Sequence, residues 1–283
     1  MLVAMAVTLF GTEAYAKVEK TSVMSFNIRI QFPADTGKFN WESRKEGCVK
    51  AIKKYHPDIL GLQEATTGQK DFMLKSLTKY IMIDGTAKPG TINKMSEFSF
   101  NPIFFRADRF ELLDYGTFWL NEDQTPEKKG RDAEYVRSTN WVKLRFRKSG
   151  QIIFYFNTHF DNTGTKACHE SSVLMVEKIK EIAGDMAVVF MSGDLNTTSE
   201  NKALKPLAAY MKESAKTVKK ADKTPSFNDF GRKGSKPIMI DHIFYRNAQA
   251  NTFKVVSENK YGIKYISDHY PVVSEFSVII PKN

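Results

Sequence analysis

The feature that most constrains this chain is a recurring unit. Short runs of Val, Ile, Leu, Phe and Tyr stop abruptly at Asn, Glu, Asp or His, and helical stripes lie between several of them. Val188-Val189-Phe190-Met191-Ser192-Gly193-Asp194 shows it well, as does Ile152-Ile153-Phe154-Tyr155-Phe156-Asn157-Thr158-His159. Runs this short and apolar read as strands, and those without polar alternation read as covered on both faces. Strands are expected over Ser22–Ile30, Ile59–Gln63, Pro102–Arg106, Thr139–Phe146, Ile152–His159, Ala187–Ser192, Ile238–Tyr245 and Val272–Val278. Helical spacing predicts helices over Glu42–Tyr55, Lys70–Leu77, Lys166–Ala183 and Ala203–Met211. The stripe Val173, Leu174, Val176, Ile179, Ile182 is the clearest and is read as core. Many strands with interspersed helices, no long linker and no internal repeat predict one domain of two packed sheets flanked by helices.

Composition narrows the partners. The 283 residues carry 42 Lys+Arg against 32 Asp+Glu, a formal charge of +10. Basic clefts attract phosphates and nucleic acid, although unmapped charge serves solubility equally well. A hydrophobic fraction of 42% is ordinary for a globular protein and excludes wholesale disorder, collagen and coiled coil. Two cysteines, Cys48 and Cys168, exclude a disulfide-dense scaffold and a thiolate zinc site. One disulfide or two free thiols remain open. Residues 84–94, 121–131 and 216–236 read as loops rich in Gly and Lys.

The first ten residues, MLVAMAVTLF, are followed by Ala14-Tyr15-Ala16, the pattern of a secretory signal peptide cleaved after Ala16. About ten apolar residues are too few to span a bilayer. No Lys or Arg precedes Lys17, which leaves a buried N-terminal strand as the alternative. The expectation is a signal peptide over 1–16, a single domain over 17–283, no transmembrane segment, and a secreted or periplasmic monomer.

Chemistry enters where polar residues end apolar strands: Ser25-Phe26-Asn27, Leu62-Gln63-Glu64, Asn157-Thr158-His159-Phe160-Asp161, Gly193-Asp194-Leu195-Asn196, Ile240-Asp241-His242 and Ser267-Asp268-His269. Residues two apart on a strand share a face, so Asn157 should point with His159 and Asp194 with Asn196. Oxygen-rich ligands with few cysteines suit a hard cation such as Mg2+, and an Asp–His pair suits a general base. Together they describe metal-assisted hydrolysis of a phosphate ester. Each element alone is commonplace: Gly-Asp-x-Asn is an ordinary turn, and a strand-ending Gln-Glu is more often solvated than ligating.

Taken in order, these motifs resemble the endonuclease/exonuclease/phosphatase superfamily over about Val23 to Phe276, with Ser25-Phe26-Asn27 and Ser267-Asp268-His269-Tyr270-Pro271-Val272 the most specific ends. Gly116-Thr117-Phe118-Trp119-Leu120 and Arg137-Ser138-Thr139-Asn140-Trp141 resemble a bacterial secreted branch of it. The resemblance implies a four-layered α/β sandwich with two central, mostly antiparallel sheets and a site at their top edge. It implies an Mg2+-dependent phosphoesterase, with Mn2+ as a substitute, acting on nucleic acid or on sugar, inositol or lipid phosphates. Glu64 would be the main metal ligand, helped by Asn27 and Asp268. His269, held by Asp241, would be general base or phosphate contact, with Asp194 the alternative base. Asp194 and Asn196 would orient water and phosphate, and His159 would donate to a phosphoryl oxygen. Arg137 would bind phosphate or serve as a structural ion pair. The branch's Ser-Glu-Thr-Pro is replaced by Asn121-Glu122-Asp123-Gln124, leaving Glu122 a weak candidate, and Glu97 or Asn101 could orient the histidine. His242 is expected to pack beside Asp241, His56 to end a helix, and His169 carries no role.

Overall fold

The computed structural model describes residues 17–94 and 101–280, so the expected signal peptide and Glu97 lie outside the described residues. In chain order the elements are β1 (Lys17–Asn27), α1 (Trp41–Tyr55), β2 (Ile59–Gln63), α2 (Thr67–Ser76), β3 (Tyr80–Ile83), β4 (Ile103–Arg106), β5 (Phe110–Trp119), β6 (Ser138–Phe146), β7 (Ile152–His159), α3 (Thr165–Ala183), β8 (Val188–Asp194), α4 (Lys205–Tyr210), β9 (Lys212–Glu213), α5 (Ser214–Thr217), β10 (Asp241–Arg246), β11 (Gln249–Val255) and β12 (Val272–Ile280). They form two six-stranded sheets, ordered β11-β12-β1-β2-β4-β3 and β5-β6-β7-β8-β10-β9. Each sheet is antiparallel except for one parallel pair, β1 with β2 and β7 with β8.

Period-two alternation along the strands builds the layers. Val23, Ile59, Ile103 and Phe105 of the first sheet meet Val142, Ile153, Tyr155, Phe190 and Ile243 of the second in a central core. The alternate residues face outward. Met24, Phe26, Leu60 and Leu62 pack on Cys48, Ile52 and Met73 of α1 and α2. Phe154, Phe156, Val189 and Met191 pack on Met175, Ile179 and Leu207 of α3 and α4. The order is therefore helix, sheet, sheet, helix: the expected four-layered sandwich. Cys48 and Cys168 are buried free thiols, and burial pushes the Cys48 thiol up to about 12.

The same alternation decides where the site lies. Following the inward register, Val23 gives way to Ser25 and Asn27, Ile59 to Gly61 and Gln63, Tyr155 to Asn157 and His159, and Phe190 to Ser192 and Asp194. The apolar core thus turns polar toward one end of the sheets. Gly61 fits because the two sheets come close there: a Cβ on it would collide with Tyr155 Oη and Asn157 Oδ1. Asn157 closes this region, donating to Leu62 O at 2.8 Å while its Oδ1 accepts from Gln63 Nε2 at 2.7 Å.

Candidate active site

Three sharp turns present the polar residues at the sheet ends. Arg29, Glu64 and Asn196, each just past a strand, have left-handed φ of 59°, 60° and 52°. Such backbone is uncommon for non-glycine residues and persists only where surrounding bonds hold it. Here they do. Asn27 Oδ1 accepts from Arg29 N at 2.9 Å, Glu64 Oε2 from Ile30 N at 2.8 Å, and Asp194 Oδ1 from Asn196 N at 2.9 Å. The capping box of α2 adds Gln69, whose Nε2 donates to Arg29 O at 2.8 Å.

Asn27 joins the two sheets, its Nδ2 donating to Glu64 Oε1 and to Asp194 Oδ2, both at 3.0 Å. Asp194 Oδ2 lies 3.4 Å from His159 Nε2 and 3.7 Å from His269 Nε2. His269 Nδ1 sits 2.8 Å from Asp241 Oδ2, and Asp241 pairs directly with Asp194 across β10 and β8. Asn196 Nδ2 donates to Phe160 O at 2.9 Å and lies 3.1 Å from His159 Nε2. Asp268 is buried 3.6 Å from Arg29, and Ser267 Oγ fixes its turn by donating to Asn27 O at 2.7 Å. These eight expected residues are thus brought to one end of the sandwich, and the ninth, Arg137, joins them through His159.

The electrostatics follow from this crowding. Burial pushes Asp194 up to about 6, with Asp241 adding to the shift and His269 opposing it. Burial also raises Asp268, and Glu64 reinforces it. For His269 burial works downward, but Asp241 and Asp194 outweigh it and hold the imidazole well above its ordinary value. His159 moves the other way, lowered well below its ordinary value by burial, then by Arg137 and His269. Arg137 Nη1 lies 2.9 Å from His159 Nδ1. A guanidinium can only donate, and its charged N–H is a stronger donor than the Asn196 amide, which spends a hydrogen on Phe160 O; Nδ1 is therefore the acceptor and the neutral ring carries its proton on Nε2, toward Asp194.

A cation suits these residues. Asp241 Oδ1 is buried without a hydrogen-bond partner among the described residues. Asp194, Asp241 and His269 offer ligand atoms within 4.8 Å of one another. Glu64 and Asp268 add carboxylates beside them, an oxygen-rich set of the kind hard cations take.

Several contributors escaped the sequence reading. Arg44 of α1 is fully buried, donating to Phe39 O at 2.7 Å, Ile28 O at 2.8 Å and Ile266 O at 2.9 Å, and so ties both site loops to the helix. Asp161 ends the quoted Asn157–Asp161 motif and accepts four backbone N–H bonds, from Glu134, Tyr135, Thr163 and Gly164. Asp35 bridges Arg29 and Arg232 at 2.9 Å each. An arginine in the first turn of a helix carries no signal of burial, and Asp35 lies in a loop without periodicity. The remaining candidates lie apart. Glu122 pairs with Arg131 at 3.1 Å on the surface, and Asn101 Nδ2 donates to Ser138 O at 2.9 Å. His242 follows Asp241 on β10 but, as the next residue along the strand, faces the other side, where Glu213 at 2.8 Å and Thr197 O at 2.9 Å hold it. His56 caps the C-terminus of α1.

Two sheets between helices, ending in paired carboxylates and imidazoles, define the phosphoesterase class of α/β sandwich. The chain belongs to the Endonuclease/Exonuclease/phosphatase family, whose profile matches residues 24–269. The family comprises hydrolases of phosphoesters that depend on a divalent metal. A family structure from Bacteroides vulgatus is 30% identical with a TM-score of 0.80, covering 92% of this chain and 99% of that one. The mannosyl-6-phosphatase Bt3783 of Bacteroides thetaiotaomicron is 26% identical with a TM-score of 0.78, covering 90% of this chain and 99% of that one. Among curated relatives, protein R895 of Acanthamoeba polyphaga mimivirus is 25% identical over 72% of this chain. The CCR4-Not complex 3'-5'-exoribonuclease subunit Ccr4 of Emericella nidulans is 27% identical over 50% of it. The chain spans only 34% and 24% of those two proteins' lengths. Among the described residues no helix is long and apolar enough to cross a membrane.

Proposed function

We propose that residues 17–283 form a single catalytic domain, exported by the signal peptide 1–16, that acts as a monomer and hydrolyses nucleic acid phosphodiesters with Mg2+ by attack of water on phosphorus. The observation that carries the chemistry is the convergence of Asp194 on Asn27, His159 and His269, with Asp241 behind His269. The net charge of +10 supports a polyanionic substrate.

Glu64, with Asn27 and Asp268, would hold the metal, which would neutralise phosphate charge as a Lewis acid. The protein's own groups then divide the work. Asp194 and His269 face each other at 3.7 Å, so either is placed to take the water's proton. Asp241 fixes which His269 nitrogen faces Asp194. Asn196 aligns the water and phosphate, while His159, protonated on Nε2, donates to a phosphoryl oxygen as charge develops there. Arg137 keeps His159 in that tautomer and contacts phosphate.

The test is cleavage of a plasmid and a labelled oligonucleotide with Mg2+ and with EDTA, beside Glu64→Ala and His269→Ala. Metal-dependent cleavage that falls at least about a hundredfold in both variants supports the reading. Full activity in either variant refutes the roles given. The likeness to a mannosyl-6-phosphatase favours a second reading, hydrolysis of a sugar phosphate. Phosphate release from hexose 6-phosphates without cleavage of nucleic acid would establish it.

A further inference from the structure

Among the described residues six large hydrophobic side chains stay exposed, and the aromatic ones are Phe32 and Tyr135, each half exposed. Both have an arginine over the ring: Arg29 lies 5.5 Å from the Phe32 centroid and Arg137 lies 5.3 Å from that of Tyr135. Those same arginines reach the site from opposite sides. Arg29 follows β1 of the first sheet and contacts Asp268 at 3.6 Å. Arg137 precedes β6 of the second sheet and contacts His159 at 2.9 Å. Asn27 and Asp194, where the two sheets join, lie between them.

What supports each ring is held in place. Asp35 pins Arg29 at 2.9 Å, and Tyr135 N donates to the buried Asp161 at 2.9 Å. An exposed aromatic ring fixed in place and backed by a cation loses little entropy on stacking a planar group, and its π-face tolerates any base.

We propose that Phe32 and Tyr135 are stacking platforms on the two sides of the scissile phosphate, and that they select single-stranded nucleic acid by stacking one unpaired base each. This rests on the nucleic acid reading above and sharpens it: bases buried in a duplex cannot reach either ring. No covalent step is added. The rings hold the nucleotides on either side while the carboxylate–imidazole group acts between them.

The experiment is fluorescence anisotropy of a short labelled oligothymidylate with the full chain in EDTA, read beside cleavage rates in Mg2+. Phe32→Ala and Tyr135→Ala are each expected to weaken binding by about tenfold, or about 1.4 kcal/mol. Phe32→Trp and Tyr135→Phe, which keep a ring, should bind as the wild type does. Duplex of the same length should bind more weakly and respond to neither alanine variant. Ring-dependent binding without hydrolysis would uphold the platforms while removing the nuclease reading. Hydrolysis with alanine variants that bind and turn over normally would overturn the platforms and leave the nuclease reading intact. Absence of binding, or equal loss on single strand and duplex, also overturns them.

Discussion

Asp161 offers the sharpest test of how the site is held. Its Oδ1 accepts from Thr163 N at 3.0 Å and Gly164 N at 2.7 Å, and its Oδ2 from Glu134 N at 3.0 Å and Tyr135 N at 2.9 Å. One carboxylate therefore clasps the start of α3 to the segment that carries Tyr135 and Arg137. Hydrogen bonds to a charged group contribute about 1.5–3 kcal/mol each, but four such values cannot simply be added. Gly164 is buried, while Glu134, Tyr135 and Thr163 are exposed and their N–H groups can return to water. Asp161→Ala should therefore cost about 3–5 kcal/mol, mostly from Gly164 N and the loss of charge-assisted bonds. Asp161→Asn is the informative variant. Its amide keeps one acceptor oxygen and turns an NH2 toward the other two donors, so an isosteric change should still cost about 2–4 kcal/mol. Urea unfolding at constant m would measure this, and kcat/KM should fall as the Arg137–His159 contact loosens. An Asp161→Asn protein within about 0.5 kcal/mol of wild type, with unaltered kinetics, would refute the clasp.

The acid limb of stability should show the same residue. Its folded pKa is depressed below the ordinary 3.8: burial pushes upward, but the four N–H donors outweigh it. Its contribution is thus complete above about 3.8 and is lost as the pH falls through the depressed value, so wild type and Asp161→Ala should converge in acid denaturation there. Gly61→Ala should destabilise by about 1–3 kcal/mol, read by urea unfolding, because its Cβ collides with Tyr155 and Asn157 where the sheets meet. Arg44→Lys keeps the charge but cannot reach Phe39 O, Ile28 O and Ile266 O together, and should cost about 2–4 kcal/mol in the same assay. Asp241→Asn should lower kcat by at least about a hundredfold with little change in KM, measured by steady-state cleavage.

The strands that the sequence reading found and those it passed over differ in one physical respect. Ile59–Gln63 and Ile152–His159 coincide with β2 and β7, interior strands covered on both faces, and their uninterrupted apolar runs record that burial. The four it missed, β3, β5, β9 and β11, are the four sheet edges. Edge strands are half solvated, so β11 (QANTFKV) and β5 (FELLDYGTFW) carry polar residues that hide the pattern. β3 is only four residues long, too short a run for its apolar residues to stand out as a strand. The loop 216–236 likewise holds α5 in part and a helical turn at Asp229–Gly231, both too short for periodicity to show.

The sequence by itself determined the two-sheet class, the interior strands, and the carboxylates, amides and imidazoles that end them, because period-two burial leaves its mark on consecutive residues. It could not determine which charges would meet. Asn27 reaches Asp194 across 167 positions, and Ser267 reaches Asn27 across 240. The tautomer of His159, the clasp of Asp161 and the buried fork of Arg44 depend on such distant pairings. Hydrogen-bond partners and local dielectric are properties of assembled space, and only the tertiary structure supplies them.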